Sequence, residues 1–180
     1  MGLGIIVCGM NGSGKSTLGK ALAEALGVPY LDNEQFYFSR SAETDPYVQT
    51  HTRAEVEVLI RERVRECGSF VLASVKGDYG EEILPYYHYA VLIDVPKEIR
   101  MQRIRSRSYG KFGERMLPGG DLHESEEAFF RLVAERPVDY AERWVHTLSC
   151  PVIRVDGTRP IAENVEKIRQ IIEETEHGKA

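Results

Sequence analysis

The chain has 180 residues, 42% of them apolar and 28% charged, with a formal net charge of −5. That length and composition suit one globular domain with a substantial core. The acidic balance argues against a duplex nucleic-acid binder, and no apolar run approaches the roughly 18 residues a membrane-spanning helix needs.

LGIIVC (residues 3–8) is a short continuous apolar run, the pattern of a strand covered on both faces. Lys15 to Leu26 follows helical spacing, with Leu18, Ala21, Leu22 and Ala25 on one face and Gly27 as its stop. VPYLD (28–32) is a second strand. Residues 53–66 read as a helix with Val56, Leu59, Ile60 and Val64 inward and Arg61, Arg63 and Arg65 outward. SFVLASV (69–75) and YAVLIDV (89–95) are further apolar strands, and Pro96 opens a helix carrying Ile99 and Ile104.

In SRSYGKFGERMLPGGD (106–121), four glycines and a proline predict a break in regular structure, yet Arg107, Lys111 and Arg115 recur every four residues. Asp121 and Glu124 fit an N-cap and its partner three positions on. The helix they open breaks at Pro137 and continues to about Leu148. PVIRVD (151–156) is the fifth strand, and Ile161, Val165, Ile168 and Ile172 mark a closing helix. Strands alternating with amphipathic helices predict a parallel sheet between two helical layers, with residues 1–180 forming a single domain.

Cys8, Cys67 and Cys150 have no CxxC spacing, so they predict buried thiols in a reducing compartment, without a zinc site or a disulfide. No two histidines stand at i, i+4. The first strand begins almost at once, leaving no room for a signal peptide, and Ile6 stands where a myristoylation pattern wants Ser or Thr. The expected location is cytoplasmic.

GMNGSGKST (9–17) fits G-x-x-x-x-G-K-[ST] between a predicted strand and a predicted helix, the context that distinguishes a phosphate-binding loop from a chance turn. Gly9, Asn11, Gly12, Ser13, Gly14, Lys15, Ser16 and Thr17 are the candidate nucleotide-binding set. The glycines let the backbone curl so that successive N–H groups face phosphate oxygens, and the following helix adds its positive end. Lys15 is expected to bridge the outer phosphates and the Ser16 hydroxyl to ligate Mg²⁺.

With this motif, with YLDNE, with LIDVPKEIRMQRIRSR and with VIRVDGTRPIAENV, the chain resembles the P-loop small-molecule kinases from Ile5 to about Ile172. These are the adenylate and other nucleoside-monophosphate kinases, shikimate kinase and gluconate kinase. The resemblance implies a three-layer α/β P-loop NTPase fold. Its five-stranded parallel sheet has the order 2-3-1-4-5, and a lid insertion follows strand four at about residues 107–136. ATP and Mg²⁺ are the implied cofactors and a small-molecule phosphate acceptor the implied partner, without nucleic acid or membrane.

Residue by residue, the resemblance implies that Asp32 holds the metal through water and that Glu34 orients the attacking hydroxyl, both lying at the strand edge where ligands bind. The alternative is a solvated turn with an Asp cap. Arg103 and Arg107 match the R-x-x-x-R that opens the lid, implying that Arg103 stacks on adenine and Arg107 touches the transferring phosphates. Arg100 reads instead as part of a solvated helix face. Gly157 and Thr158 would present backbone to the base, or form a simple turn before Pro160. Asp94 resembles a Walker B aspartate but ranks below Asp32.

The Asp-Gly-x-Pro-Arg stretch typical of mononucleotide kinases is absent after strand three. Lys76 and Asp78 stand there, to contact an acceptor or, for Asp78, to cap a turn. In FYFSR (36–40), Phe36, Tyr37 and Phe38 could stack on a base or pack on a helix, and Arg40 or Arg53 could hold an acidic group. Arg107, Lys111 and Arg115 would close over ATP on a hinged flap, with Arg136 approaching from the return side.

The leading expectation is a Mg-ATP-dependent phosphotransferase acting on a hydroxyl metabolite, with Lys15, Asp32, Glu34 and Arg107 carrying the chemistry. Its rivals are a mononucleotide kinase, an ATPase switch without a small acceptor, and a kinase of nucleic-acid ends.

Overall fold

The structure, a computed structural model, describes residues 2–38 and 51–178. At its centre GIIVCG forms β1 (Gly4–Gly9), buried along its whole length. Helix α1 (Lys15–Leu26) is stopped by Gly27 in the left-handed region at φ 65°. Then come β2 (Tyr30–Asp32), the one-turn α2 (Glu34–Tyr37), α3 (Arg53–Cys67) and β3 (Phe70–Ala73). A 3₁₀ segment at Glu81–Tyr86 leads to β4 (Tyr89–Asp94), α4 (Lys97–Phe112) and a second 3₁₀ turn at Gly113–Met116. The last elements are α5 (His123–Glu135), α6 (Tyr140–Val145), β5 (Val152–Asp156) and α7 (Ile161–His177).

All strand pairs are parallel and the order is β2-β3-β1-β4-β5, as the sequence predicts. Side chains alternate across a strand, so β1 feeds two cores. Ile5 and Val7 pack with Leu18 and Leu22 of α1 and with Ile168 and Ile172 of α7. Ile6 and Cys8 pack with Val56, Ile60 and Val64 of α3 and with Ala141 and Val145 of α6. Because every strand runs the same way, Gly9, Asp32, Ala73, Asp94 and Asp156 all end on one edge of the sheet. A third cluster, Ile104, Met116, Phe130 and Val133, contains no strand residue and joins α4 to α5.

Two local expectations are corrected. Residues 106–112 are helical, because α4 runs through Gly110 and stops only at Gly113, whose φ is 57°. A mid-helix glycine costs about 1 kcal/mol, which burial of Ile104 of the same helix against Met116, Phe130 and Val133 offsets. Asp121 does not cap α5: Leu122 holds that position without a side-chain cap, and Asp121 accepts two hydrogen bonds from Arg115, at 3.0 and 2.6 Å. The break at Pro137 stands, since the preceding Arg136 takes the extended backbone (ψ 132°) that a following proline enforces. Arg40 lies outside the described residues.

Candidate functional site

The loop after β1 needs glycine for two different reasons. Gly14 adopts φ 95° and opens α1, a left-handed conformation few other residues tolerate. Gly12, at φ 79°, also lies against α4, where a Cβ would fall 2.5 Å from the Arg100 carbonyl oxygen. Within the loop the Ser13 N–H and the Lys15 ammonium both donate to the Met10 carbonyl, each at 3.1 Å. The Ser13 hydroxyl is buried without a hydrogen-bond partner.

Lys15, Ser16, Asp32, Glu34, Arg103, Arg107 and Arg136 border one cavity of about 410 Å³ against this loop. Burial pushes the Lys15 ammonium down to about 8; Glu34 and Asp32 oppose that shift and Arg107 adds to it. The two carboxylates differ in environment. Asp32 is buried and accepts hydrogen bonds from the Tyr30 hydroxyl (2.7 Å) and the Glu34 N–H (3.1 Å). Glu34 is exposed on the first turn of α2.

Arg103 donates to the Gly157 carbonyl at 3.0 Å and also borders a second cavity of about 440 Å³, shared with Ser13, Thr17, Gly157 and Thr158. That turn is tied down by Asp156, which accepts from the Thr158 N–H (2.8 Å) and hydroxyl (2.6 Å). Gly157 is wedged there, since a Cβ would lie 2.5 Å from both Ile93 and Val95 side chains. Gly9 admits the Ser13 hydroxyl, 2.7 Å from where its own Cβ would stand.

Of the evenly spaced cations, Arg107 reaches the loop cavity, and with Lys111 it borders a third space of about 240 Å³ that also meets Glu34 and Glu126. Arg115 is held by Asp121 and borders none of the three cavities. Arg136 crosses from the far end of α5 to donate to the Asn11 side-chain oxygen at 2.6 Å, its guanidinium 5.1 Å from the Tyr140 ring.

Asp94 pairs with Arg154 at 3.3 Å on an exposed part of the sheet edge. Asp78 pairs with Lys76 (2.9 Å) and Arg53 (3.5 Å), and Lys76 lies 4.4 Å from the Tyr140 ring. Phe36 and Tyr37 pack on the core that includes α3, while Phe38 is 40% exposed.

The reading of Arg100 as a solvated face is wrong. It is 5% exposed and donates to the Val95 (3.1 Å) and Asn11 (3.3 Å) carbonyls. Glu126 was also missed: it is 2% exposed, and its Oε2 is buried without a hydrogen-bond partner. Both were detectable in outline. Arg100 stands four residues before Ile104, and Glu126 four before Phe130 and seven before Val133, on the buried stripes of their helices.

A family model described as AAA domain matches residues 5–128. The chain is 26% identical to the adenylate kinase isoenzyme 6 homolog of Caenorhabditis elegans, over 93% of this chain and 87% of that protein. It is 27% identical to the shikimate kinase of Rhodopseudomonas palustris, over 77% of this chain and 68% of that one. The crystal structure of a gluconokinase from Sinorhizobium meliloti 1021 superposes with a TM-score of 0.58 at 19% identity, covering 99% and 98% of the two chains, a likeness of fold.

Burial raises the Glu126 carboxyl above the ordinary range. A raised acid favours folding fully at low pH and loses that contribution as pH climbs through its folded value. Glu126→Gln removes the charged form, so the variant should melt higher than wild type near pH 7.5. The expected gain is roughly 2–4 °C, corresponding to about 1 kcal/mol from no longer burying the ionised carboxylate. The gap should close toward pH 4; a gap that does not vary with pH would rule out titration of Glu126 as its source.

Proposed function

This chain belongs to the AAA domain family, and from that premise we infer that it is an ATP-dependent small-molecule kinase moving the γ-phosphate to a hydroxyl acceptor. The observation that carries this reading is the meeting of Lys15, Asp32, Glu34, Arg107 and Arg136 around one cavity against a glycine-rich loop. The kinase names of its sequence relatives support it.

ATP would supply the transferable phosphoryl group. Gly9, Asn11, Gly12, Ser13 and Gly14 would cradle its phosphates, with Thr17 at the start of the helix and Lys15 on the outer oxygens. Arg103, Gly157 and Thr158 would receive the base, their side of the loop offering a second cavity joined through Arg103. Ser16 and Asp32 suit Mg²⁺, because both present oxygen and both border the loop cavity; the ion would neutralise phosphate charge there.

The two carboxylates then divide the work. Asp32, held by two hydrogen bonds, keeps a fixed position. Glu34, exposed at the mouth, accepts the acceptor's hydroxyl proton as attack proceeds. Arg107 stabilises charge on the transferring group, and residues of about 107–136 serve as the lid that carries it. The hydroxyl preference rests on the missing mononucleotide-kinase stretch, whose place is taken by Lys76 and Asp78, and on the Asp32–Glu34 pair. No helix among the described residues is long and apolar enough to cross a membrane, and a cytoplasmic site of action belongs to the same proposal.

A thermal-shift screen of hydroxyl metabolites, run with Mg²⁺ and a non-hydrolysable ATP analogue, followed by mass spectrometry for product, tests the reading. A metabolite that stabilises the protein and gains a phosphate supports it. A shift with nucleotide alone across a broad library favours the ATPase switch.

Arg107→Ala should lower kcat by roughly 100-fold with little change in ATP affinity. Unchanged turnover would remove Arg107 from the chemistry.

Phosphates favour the charged form of Lys15, so its value of about 8 in the free protein should rise on binding. Affinity for the ATP analogue should therefore weaken as pH passes about 8, by up to roughly tenfold per pH unit while one proton is taken up. Calorimetry from pH 7 to 9.5 reads this directly, and a flat profile would exclude Lys15 as the titrating contact.

A further inference from the structure

Among the described residues, Arg100 is the least exposed lysine or arginine; Lys15, though its ammonium is desolvated, still borders the loop cavity. Burial pushes the Arg100 guanidinium below the ordinary arginine range, yet among the described residues none of its hydrogen bonds goes to a carboxylate. Its Nε donates to the carbonyl of Val95, just after β4, and its Nη1 to the carbonyl of Asn11, in the loop after β1. One planar fork thus joins the ends of two neighbouring strands, a span that a lysine's single ammonium does not match.

The loop's own geometry explains why such a group is useful. A phosphate loop turns its N–H groups inward, so its carbonyls turn outward, and each outward carbonyl covered by protein needs a donor. Ser13 and Lys15 satisfy Met10. For Asn11 the donor is Arg100, and α4 sits close enough to supply it because Gly12 has no side chain to hold the helix off. Asn11 is also gripped at its side chain by Arg136. Removing the guanidinium would take this donor from the Val95 and Asn11 carbonyls, so a lowered Tm is expected in any case. Only nucleotide affinity and loop exchange separate a positioning role from a structural one.

We propose that Arg100 is a positioning residue that holds the Asn11 carbonyl outward and so sets the inward N–H groups of the phosphate loop before nucleotide arrives. The proposal rests on the reading of this loop as a nucleotide site, and its test separates the two.

Arg100→Met and Arg100→Lys are compared with wild type by calorimetric binding of a non-hydrolysable Mg-ATP analogue, well below each protein's Tm. Amide hydrogen exchange of residues 10–16 is followed in the ligand-free proteins. Arg100→Met should weaken binding by about tenfold or more and speed exchange in the loop while β1 and β4 stay protected; Arg100→Lys should recover part of both. A purely structural role would lower Tm and leave the affinity of the folded protein unaltered.

Affinity within twofold of wild type in Arg100→Met would overturn the proposal, whatever the exchange. If Arg100→Met does not fold, a folded Arg100→Lys with wild-type affinity and exchange overturns it equally. Wild type failing to bind nucleotide while loop exchange still rises in the variant would sink the functional reading and leave the loop-setting role standing.

Discussion

The structure depends on one constraint of backbone polarity. A loop that presents N–H groups to an anion must send its carbonyls the other way, into the protein. Left unpaired there, each would cost about 1–3 kcal/mol. Met10 and Asn11 are served by donors from three places: the loop itself, α1 through Lys15, and α4 through Arg100. That requirement fixes how closely α4 approaches β1, and α4 in turn carries Arg103 and Arg107. The helix that braces the loop is therefore the helix that brings cations to it.

Charge follows the same economy of placement. The chain is acidic overall, yet Lys15, Arg103, Arg107 and Arg136 all border one cavity, with Asp32 and Glu34 their carboxylate neighbours there. Other cations are paired locally, Arg115 with Asp121, Lys76 with Asp78, and Arg53 with Glu57 and Asp78. Net charge thus says little about the cleft, because screening limits a charge's reach to about 10 Å at ordinary salt. The two carboxylates diverge for a local reason too: Asp32 ends a buried strand, whereas Glu34 begins the next helix at the surface.

Legibility varied with the range of the interactions involved. The strand order, α1 with its glycine stop and the break at Pro137 were readable because each follows from short-range pattern or from the resemblance those patterns carry. In the stretch 106–121 the expected break comes only at Gly113, because glycine content reports backbone freedom and packing of Ile104 on the α4–α5 cluster keeps residues 106–112 helical. Asp121 looked like a cap by spacing, but Arg115 lies close enough to compete for its carboxylate.

By itself the sequence determined the alternation of buried strands and helices, the glycine-rich loop between the first pair, and the residue types on offer for phosphate chemistry. These depend on neighbours along the chain and on periods of two and 3.6. Only the tertiary structure decided which charges face the cleft. Arg100, Arg103 and Arg107 lie within eight positions of one another on α4, but one braces the loop, one reaches the Gly157 turn and one enters the cavity. Asn11 meets Arg136 across 125 positions. Such pairings arise when α4 and α5 dock against each other and the loop, and no local pattern encodes the docking angle.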